Sequence, residues 1–217
     1  MTIRIATRGS ALALTQANMV AAALKQPFEI VTIKTTGDIK AETPLKNLGG
    51  KEVFTKELDE ALLNNNADIA VHSLKDVPGF IHNELEIIAV LPRADARDML
   101  IGAASFDEIP QGAIFGTSSP RRMAQVLGKR PDLKLVEFRG NVETRIKKIE
   151  NMVAYASLLA NAGITRLGIE IPLPHALISV NDFIPAVGQG IICIMARKGK
   201  LDLSHINHAP SFTAATA

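Results

Sequence analysis

Short apolar runs alternate with amphipathic stretches along almost the whole chain. The apolar runs predict strands at residues 3–7, 28–34, 68–72, 85–91, 112–116, 133–138 and 190–196. The amphipathic stretches predict helices at residues 10–25, 53–65, 119–129, 141–150 and 156–167. Because strands that alternate with helices are typical of α/β proteins, we predict that fold class, with mainly parallel sheets.

Turn-forming residues interrupt this alternation at two places, 91–95 and 184–190. Clusters of Gly and Pro between periodic segments indicate loops or boundaries. We interpret the two clusters as crossings between two domains, which makes the first domain discontinuous. The predicted domains are residues 1–91 with 190–208, and residues 92–189.

The composition limits the classes of partner. Lys and Arg number 24 and Asp and Glu 22 in 217 residues, so the formal net charge is only +2. With no Trp and one Tyr, the chain has few rings for stacking on bases, and we predict that it does not bind nucleic acid. No apolar run approaches the roughly eighteen residues of a membrane span, so no membrane partner is predicted. Because the net charge is so small, any anion must be bound by a local cluster of basic residues.

The first residues loosely imitate an export signal, because basic residues precede an apolar stretch at 11–24. The polar residues Gln16 and Asn18 interrupt that stretch, where a signal core is uniformly apolar. The alternation at 3–7 and the N-cap residue Ser10 favour a strand followed by a helix. A single cysteine fits a reducing compartment, and we predict a cytoplasmic location.

A strand end, a turn of small polar residues, a helix start and an arginine occur together three times. These junctions contain Arg8 and Ser10, then Thr117, Ser118, Ser119, Arg121 and Arg122, and then Arg139, Asn141 and Arg145. The predicted N-cap residues are Ser10, Ser119 or Ser118, and Asn141. Helix N–H groups and guanidinium groups would meet at strand ends, which predicts a site for a ligand with several carboxylates or phosphates. The alternative is that these are ordinary caps and surface arginines.

A buried strand ends in a turn that contains Lys75 and Asp76. The charge of Lys75 would favour the ionised form of Asp76, which could then stabilise a cationic intermediate or transfer a proton. A Lys-Asp turn before Pro78 is also common in proteins without any catalytic role, so the spacing alone leaves both interpretations open.

The polar segment 35–51 lacks periodicity and exceeds the usual length of a connection, which is typical of functional or disordered loops. Its Gly49-Gly50-Lys51 sequence lacks the spacing of a nucleotide-binding loop. Lys51, with Lys56 and Gln189, is instead expected to contact an anion.

Neither the histidines nor the cysteine predicts a reactive centre. His72, His82, His175, His205 and His208 form no helix-face pair with a supporting acid cluster, so no metal site is predicted. Cys193 lies within an apolar run that predicts a core strand, where a thiolate would be disfavoured.

Taken in order, these segments resemble the hydroxymethylbilane synthase family, also called porphobilinogen deaminases. The matching segments are 4–10 with 12–14, 37–38, 43–45, 49–51 with 54 and 56–58, 67–78, 116–119 with 121–122, 138–142 with 144–145, 162–163 with 166–167, and 185–190. The match spans nearly the whole chain, and its Val-His-Ser-Leu-Lys-Asp segment, residues 71–76, is highly specific.

The resemblance implies that four porphobilinogen units are joined head to tail with release of ammonia, towards haem and related tetrapyrroles. It implies that Asp76 is the catalytic acid. It also implies that the acetate and propionate groups of porphobilinogen and of the growing linear polypyrrole bind to a defined set of residues. That set is Arg8, Ser10, Lys75, Thr117, Ser118, Ser119, Arg121, Arg122, Arg139, Arg145 and Arg166. The fold implied is two type II periplasmic-binding-protein-like domains joined by two crossover segments, with the site in the cleft between them.

The same resemblance implies a dipyrromethane cofactor, held covalently by a cysteine of a third domain. Cys193 does not match that cysteine, so no attachment site is expected in this chain. Residues 209–217 would begin the third domain, and we expect a monomer with little activity of its own. Residues 151–156 and Pro120 depart from the family's pattern, and at 151–156 a helix stop signal is lost. The alternative function is a non-catalytic module that binds polycarboxylates or other anions.

Overall fold

The structure is a computed structural model that describes residues 2–39 and 53–216. The chain forms two compact units, one made of Met1–Ala94 with Val187–Ala217 and the other of Asp95–Ala186. The chain therefore crosses between the units twice. These boundaries differ by a few residues from those at 91/92 and 189/190 that the sequence predicts.

The strands in chain order are β1 (Ile3–Arg8), β2 (Phe28–Ile33), β3 (Ile69–Ser73), β4 (Leu85–Val90), β5 (Asp98–Ile101), β6 (Ile114–Gly116), β7 (Lys134–Val136), β8 (Ala156–Ala160), β9 (His175–Leu177) and β10 (Ile192–Arg197). The α-helices are α1 (Ala11–Leu24), α2 (Thr36–Ile39), α3 (Lys56–Leu63), α4 (Pro120–Lys129), α5 (Val142–Glu150), α6 (Asn161–Leu167) and α7 (Ala209–Thr216). Short 3₁₀ turns lie at Leu74–Asp76 and Ser204–Ile206. The α/β fold class predicted from the sequence is confirmed.

The first unit contains a sheet with the strand order β2-β1-β3-β10-β4. Strand β1 runs parallel to β2 and β3, whereas β10 is antiparallel to both β3 and β4. The apolar side chains of α1 pack on one face, and those of α3 and α7 pack on the other. The carboxyl ends of β1, β2, β3 and β4 and the amino end of β10 therefore share one side of the sheet, which we call the first edge.

The second unit contains a sheet with the strand order β7-β6-β8-β5-β9. Strand β6 is parallel to β7 and β8, and β5 is antiparallel to β8 and β9. One core includes α4 and the other includes α5 and α6. The carboxyl ends of β7, β6 and β8 and the amino end of β5 share one side of this sheet, which we call the second edge.

The predicted helix at 156–167 is wrong over its first half, because Ala156–Ala160 forms β8. This strand lies between β6 and β5, and its first four residues are buried. A strand that is covered on both faces shows a continuous apolar run, which cannot be distinguished from a buried helix by periodicity. The short elements β5, β9, α2 and α7 were not predicted, since three or four residues carry little periodic signal and α7 consists mainly of small residues.

Helix α7 (Ala209–Thr216) lies in the first unit. Phe212 and Ala215 pack against the apolar core on the face of the sheet that also carries α3. The hydroxyl of Ser211 accepts a hydrogen bond of 3.0 Å from the backbone N–H of Arg93. The segment is therefore part of the first unit's own packing. Among the described residues, no helix combines the length and the apolar character needed to cross a membrane.

Candidate functional site

The first edge begins with the junction between β1 and α1. Ser10 caps α1, as predicted, because its Oγ accepts a hydrogen bond of 3.3 Å from the N–H of Ala13. The preceding Arg8 forms an ion pair with Asp38, and its Nε lies 3.2 Å from Asp38 Oδ2. The Arg8 guanidinium also lies 4.4 Å from the centre of the Phe54 ring. Arg8 is therefore held firmly in a preformed position.

Asp38 is a residue that the reasoning from spacing did not place in the site. Its Oδ2 accepts a hydrogen bond of 2.7 Å from the hydroxyl of Thr35. Burial raises the pKa of Asp38, but hydrogen bonds from Arg8 and Thr35 and the charge of Arg8 outweigh burial and leave the pKa below its ordinary value. The sequence signal that could have located this acid is the Gly37-Asp38 pair. Gly37 is required because a side chain at position 37 would collide with the ring of Phe54.

Lys75 and Asp76 lie in the 3₁₀ turn that follows β3 at the same edge. Hydrogen bonds fix this turn at both ends: the N–H of Leu74 donates to Ile191 O at 3.0 Å, and the N–H of Val77 donates to Leu74 O at 3.1 Å. Lys75 and Asp76 are both half-buried. The structure therefore presents the predicted catalytic carboxylate from a rigid turn beside the end of a buried strand.

The segment before β10 packs against this turn. Gly188 has a φ of +71°, and a Cβ at this position would lie 2.8 Å from Leu74 Cγ, so both the backbone and the contact require glycine. Gln189 is buried, and its carbonyl oxygen accepts a hydrogen bond of 2.9 Å from Arg93 Nε. The first edge thus brings together Arg8, Ser10, Lys75, Asp76 and Gln189. Lys51 lies outside the described residues, and Lys56 is exposed and lies 3.9 Å from Glu60.

Cys193 and His72 lie opposite each other in the interior of the first sheet. Burial raises the pKa of the Cys193 thiol to about 12, and the charge of Asp76 acts in the same direction. Burial lowers the pKa of His72 to about 4, with a further contribution from the charge of Arg8. Both side chains are therefore neutral near pH 7, and the prediction that Cys193 lies in a core strand is confirmed.

At the second edge, three hydroxyl residues follow β6. Ser119 caps α4, as predicted, since its Oγ lies 3.4 Å from the N–H of Arg122. Thr117 Oγ1 accepts from the N–H of Ser119 at 3.2 Å, and Ser118 Oγ accepts from the N–H of Phe138 at 2.8 Å. Ser118 therefore ties the loop after β6 to the loop after β7, whereas Thr117 and Ser119 stabilise the start of α4.

Arg121 and Arg122 both pair with the buried Asp98 at the start of β5. Each pair has a nitrogen-to-oxygen distance of 2.7 Å. Burial raises the pKa of Asp98, but the charge of Arg122 and hydrogen bonds from both arginines outweigh burial, so the pKa stays below its ordinary value. Arg122 also donates to Leu158 O at 2.8 Å and is itself buried. Asp98 is the second acid that the sequence reasoning missed, since a single acid before a short apolar run carries no signal.

The junction between β7 and α5 completes this edge. Asn141 caps α5, as predicted, with its Oδ1 accepting a hydrogen bond of 2.7 Å from the N–H of Thr144. Arg145 Nε donates to Gly140 O at 2.9 Å, and Lys148 Nζ donates to Arg139 O at 3.0 Å. These contacts place Arg139 and Arg145 around the amino end of α5. The predicted Arg166 lies in the last turn of α6, where burial lowers the pKa of its guanidinium.

Each edge therefore combines cationic side chains with the amino end of a helix. A helix amino terminus attracts anions through its N–H groups and its dipole, and guanidinium groups bind carboxylates bidentately. The chemistry that each edge supports by itself is the binding of carboxylate groups, and the first edge also presents the carboxylate of Asp76.

Comparison with known proteins gives consistent matches over most of the chain. The protein family described as "Porphobilinogen deaminase, dipyromethane cofactor binding domain" matches residues 3–205. Porphobilinogen deaminase of Paracoccus denitrificans is 51% identical, over 90% of this chain and 65% of that protein. Porphobilinogen deaminase of Rickettsia bellii is 47% identical, over 97% of this chain and 74% of that protein. The chain thus spans between about two thirds and three quarters of the length of these curated relatives.

Solved structures support the fold alone. The reduced regulatory domain of OxyR2 from Vibrio vulnificus has a TM-score of 0.54 at 11% identity, covering 100% of this chain and 95% of that one. A periplasmic binding protein of Salmonella typhimurium with high arginine specificity has a TM-score of 0.51 at 13% identity, covering 100% and 94%. These neighbours identify the fold as that of type II periplasmic binding proteins, as the resemblance implied.

Proposed function

The chain belongs to the porphobilinogen deaminase family, and from this premise we propose that it carries the substrate-binding and condensing machinery of hydroxymethylbilane synthesis. In this reaction four porphobilinogen units are joined head to tail, and each step releases one ammonia. The observation that carries the proposal is that each of the two sheet edges gathers arginines beside a capped helix end, and that the first edge also presents Lys75 and Asp76.

The substrate explains why so many cations are needed. Each porphobilinogen unit carries an acetate and a propionate, so a growing chain adds two carboxylates with every ring. Arg139 and Arg145 lie around the amino end of α5, where the helix dipole adds to the attraction for a carboxylate. Arg8 is already held by an acid, which reduces the conformational entropy lost when a ligand binds. The proposed role of these residues is to bind and orient the acetate and propionate groups.

The proposed role of Asp76 is to stabilise the positive charge that develops during the condensation step. As ammonia leaves the aminomethyl carbon, the pyrrole nitrogen donates electron density and acquires positive charge. A carboxylate held near that N–H stabilises the charge, and a preorganised group does so without reorganisation at the moment of reaction. The α-carbon of the neighbouring pyrrole then forms the new carbon–carbon bond and loses a proton. The hydrogen bonds at both ends of the 3₁₀ turn, which limit the movement of Asp76, support this proposed role.

The dipyrromethane cofactor of the family fits the same donor set, because it carries the same carboxylate groups. Arg121, Arg139 and Arg145 are the residues that would hold them. When bound, the cofactor supplies the pyrrole to which the first substrate unit is joined. Cys193 does not fit as its covalent anchor, because it is buried in β10 and burial raises its thiol pKa to about 12. We propose that these 217 residues hold the cofactor without a covalent bond and form little tetrapyrrole alone.

A titration of porphobilinogen and of succinate against this chain tests the proposal. We expect porphobilinogen to bind at least about tenfold more tightly, and Arg145→Gln to weaken its binding by about tenfold through loss of a charge-assisted contact. Lys134→Gln is the matched control, since Lys134 is exposed at the opposite side of the second sheet. The mass of the intact chain after incubation with porphobilinogen should show no covalent adduct.

Equal affinity for succinate and porphobilinogen would contradict the proposal and would favour the alternative, a module that binds simple anions. Sustained tetrapyrrole formation or an added mass would contradict the proposed absence of a covalent anchor. The proposal also includes a monomeric, cytoplasmic protein whose partners are porphobilinogen and linear polypyrroles, with neither nucleic acid nor membrane among them.

A further inference from the structure

Asp98 is an acid at the second edge to which the proposed function gives no role. The antiparallel pairing of β5 with β8 places Asp98 opposite Ala160, at the carboxyl end of β8. Its two carboxylate oxygens contact two different arginines, Oδ1 with Arg122 and Oδ2 with Arg121. We propose that Asp98 is a positioning residue that acts through Arg121, fixing the guanidinium group that binds a ligand carboxylate. The inference rests on the proposed function and deepens it.

The two arginines differ in what they offer to a ligand. The Arg122 side chain is only 8% exposed, and its second nitrogen donates to the backbone oxygen of Leu158 in β8. The Arg121 side chain is 24% exposed, and solvent can therefore reach it. Arg122 thus holds the carboxylate of Asp98 in place at the sheet, and this fixed carboxylate in turn holds the guanidinium group of Arg121.

Electrostatics gives a reason for an acid at this position. Arg121 and Arg122 are neighbours in the first turn of α4, where the positive end of the helix dipole disfavours cations. Two adjacent guanidinium groups also repel each other. One buried carboxylate between them compensates one positive charge and leaves about one for a ligand carboxylate. Without Asp98, Arg121 would turn away from Arg122 and from the helix end.

Further contacts define where Arg121 points. Its second nitrogen donates to the carbonyl oxygen of Ile184, and its guanidinium carbon lies 5.7 Å from the centre of the Phe183 ring. Phe183 is fully buried, so the ring is a fixed surface beside the arginine. The Arg121 guanidinium is therefore held by an acid and a carbonyl oxygen and lies near a ring, which fits a preformed ligand-binding group better than a surface side chain.

The experiment is a double-mutant cycle on porphobilinogen binding. We expect Asp98→Asn to weaken binding by about tenfold in the unchanged chain, and by less than about twofold when Arg121→Gln is already present. Asp132→Asn is the matched control, because Asp132 also pairs with an arginine at 2.7 Å but precedes β7, at the opposite side of the sheet. Equal losses in both backgrounds, or an unchanged affinity for Asp98→Asn, would overturn the proposal.

A second measurement separates this inference from the proposed function. The ¹⁵N NMR signals of the Arg121 guanidinium, assigned with Arg121→Lys, report its order without any ligand. We expect restricted rotation in the unchanged chain and averaged signals in Asp98→Asn. If the chain does not bind porphobilinogen, the proposed function fails and these spectra alone decide whether Asp98 orders Arg121. Restricted rotation that persists without Asp98 would overturn the inference.

Asp98→Asn could prevent folding, since it leaves the buried Arg122 without a counter-charge. Asp98→Asn combined with Arg122→Met removes both members of the buried pair, a replacement that proteins often tolerate. This double variant retains Arg121, and we expect a folded chain with a mobile Arg121 guanidinium and about tenfold weaker porphobilinogen binding. A rigid Arg121 with unchanged affinity in this variant would also overturn the proposal.

Discussion

His72 shows how one buried side chain links the site to the stability of the fold. It lies in β3, directly before the turn that carries Asp76, and is only 5% exposed. Its Nε2 is buried and has no hydrogen-bond partner within residues 2–39 and 53–216. Burial and the nearby charge of Arg8 lower the pKa of His72 to about 4, so the native state resists its protonation.

We predict that acid destabilises the protein through His72. The pKa is 6.5 when the chain is unfolded and about 4 when it is folded, so the unfolded state binds the proton first. Stability is therefore complete above pH 6.5 and falls as the pH drops towards 4. Between pH 7.5 and 5 the loss should be about 2 kcal/mol. Urea unfolding at both pH values should show this difference, and His72→Asn should remove most of it.

The control for this prediction is His205→Asn, because His205 is exposed. That variant should retain the full pH dependence. If His72→Asn loses as much stability between pH 7.5 and 5 as the unchanged chain, the buried histidine is not the source of the acid sensitivity.

At the scale of elements, α5 ends in a backbone conformation that does not suit the residue found there. The N–H of Val153 donates to Lys148 O and the N–H of Met152 donates to Ile149 O, the pair of hydrogen bonds of a Schellman motif. The residue that must adopt the left-handed conformation is Met152, with a φ of +56°. The stop signal that the sequence lacks is therefore replaced by a strained methionine in the same backbone geometry.

Met152→Gly should stabilise the protein. Glycine adopts a positive φ without steric cost, and Met152 is 66% exposed, so little packing is lost. After allowance for the greater freedom of glycine in the unfolded chain, we expect a gain of about 0.5–1 kcal/mol in the free energy of unfolding. Met19→Gly, in the middle of α1, is the control and should destabilise by about 1 kcal/mol. Urea denaturation measures both, and a destabilised Met152→Gly would contradict the interpretation.

At the scale of the whole molecule, the two units differ in how the chain builds them. The second unit is continuous, and its sheet uses only strands from within Asp95–Ala186. The sheet of the first unit contains β10, which enters after the second unit and lies between β3 and β4. Without β10 the strands β3 and β4 have no common neighbour, so residues 1–94 alone cannot form this sheet.

We predict that a fragment of residues 95–186 folds alone, whereas a fragment of residues 1–94 does not. Circular dichroism during heating should show a cooperative transition for the first fragment and none for the second. A chain in which a short Gly/Ser linker joins residue 94 to residue 187 restores β10 and should regain cooperative unfolding. Cooperative unfolding of residues 1–94 alone would show that β10 is not needed for that sheet.

Much of the site could be predicted because its parts are local. Ser10, Ser119 and Asn141 cap helices where the sequence predicted caps, since a cap depends on residues only three positions apart. The partners of the arginines could not be predicted in this way. Arg8 is separated from Asp38 by 30 positions and Arg122 from Asp98 by 24, and nothing local encodes either contact.

The sequence by itself determined the α/β class, the positions of most helices and strands, and the helix caps beside the arginines. These features arise from interactions within a few residues and from the period of the apolar pattern. Only the tertiary structure decided that β8 is a strand, that β10 lies between β3 and β4, and that Asp38 and Asp98 hold arginines. The physical reason is that strand neighbours and buried ion pairs join segments far apart in the chain, and their stability depends on burial that the fold creates.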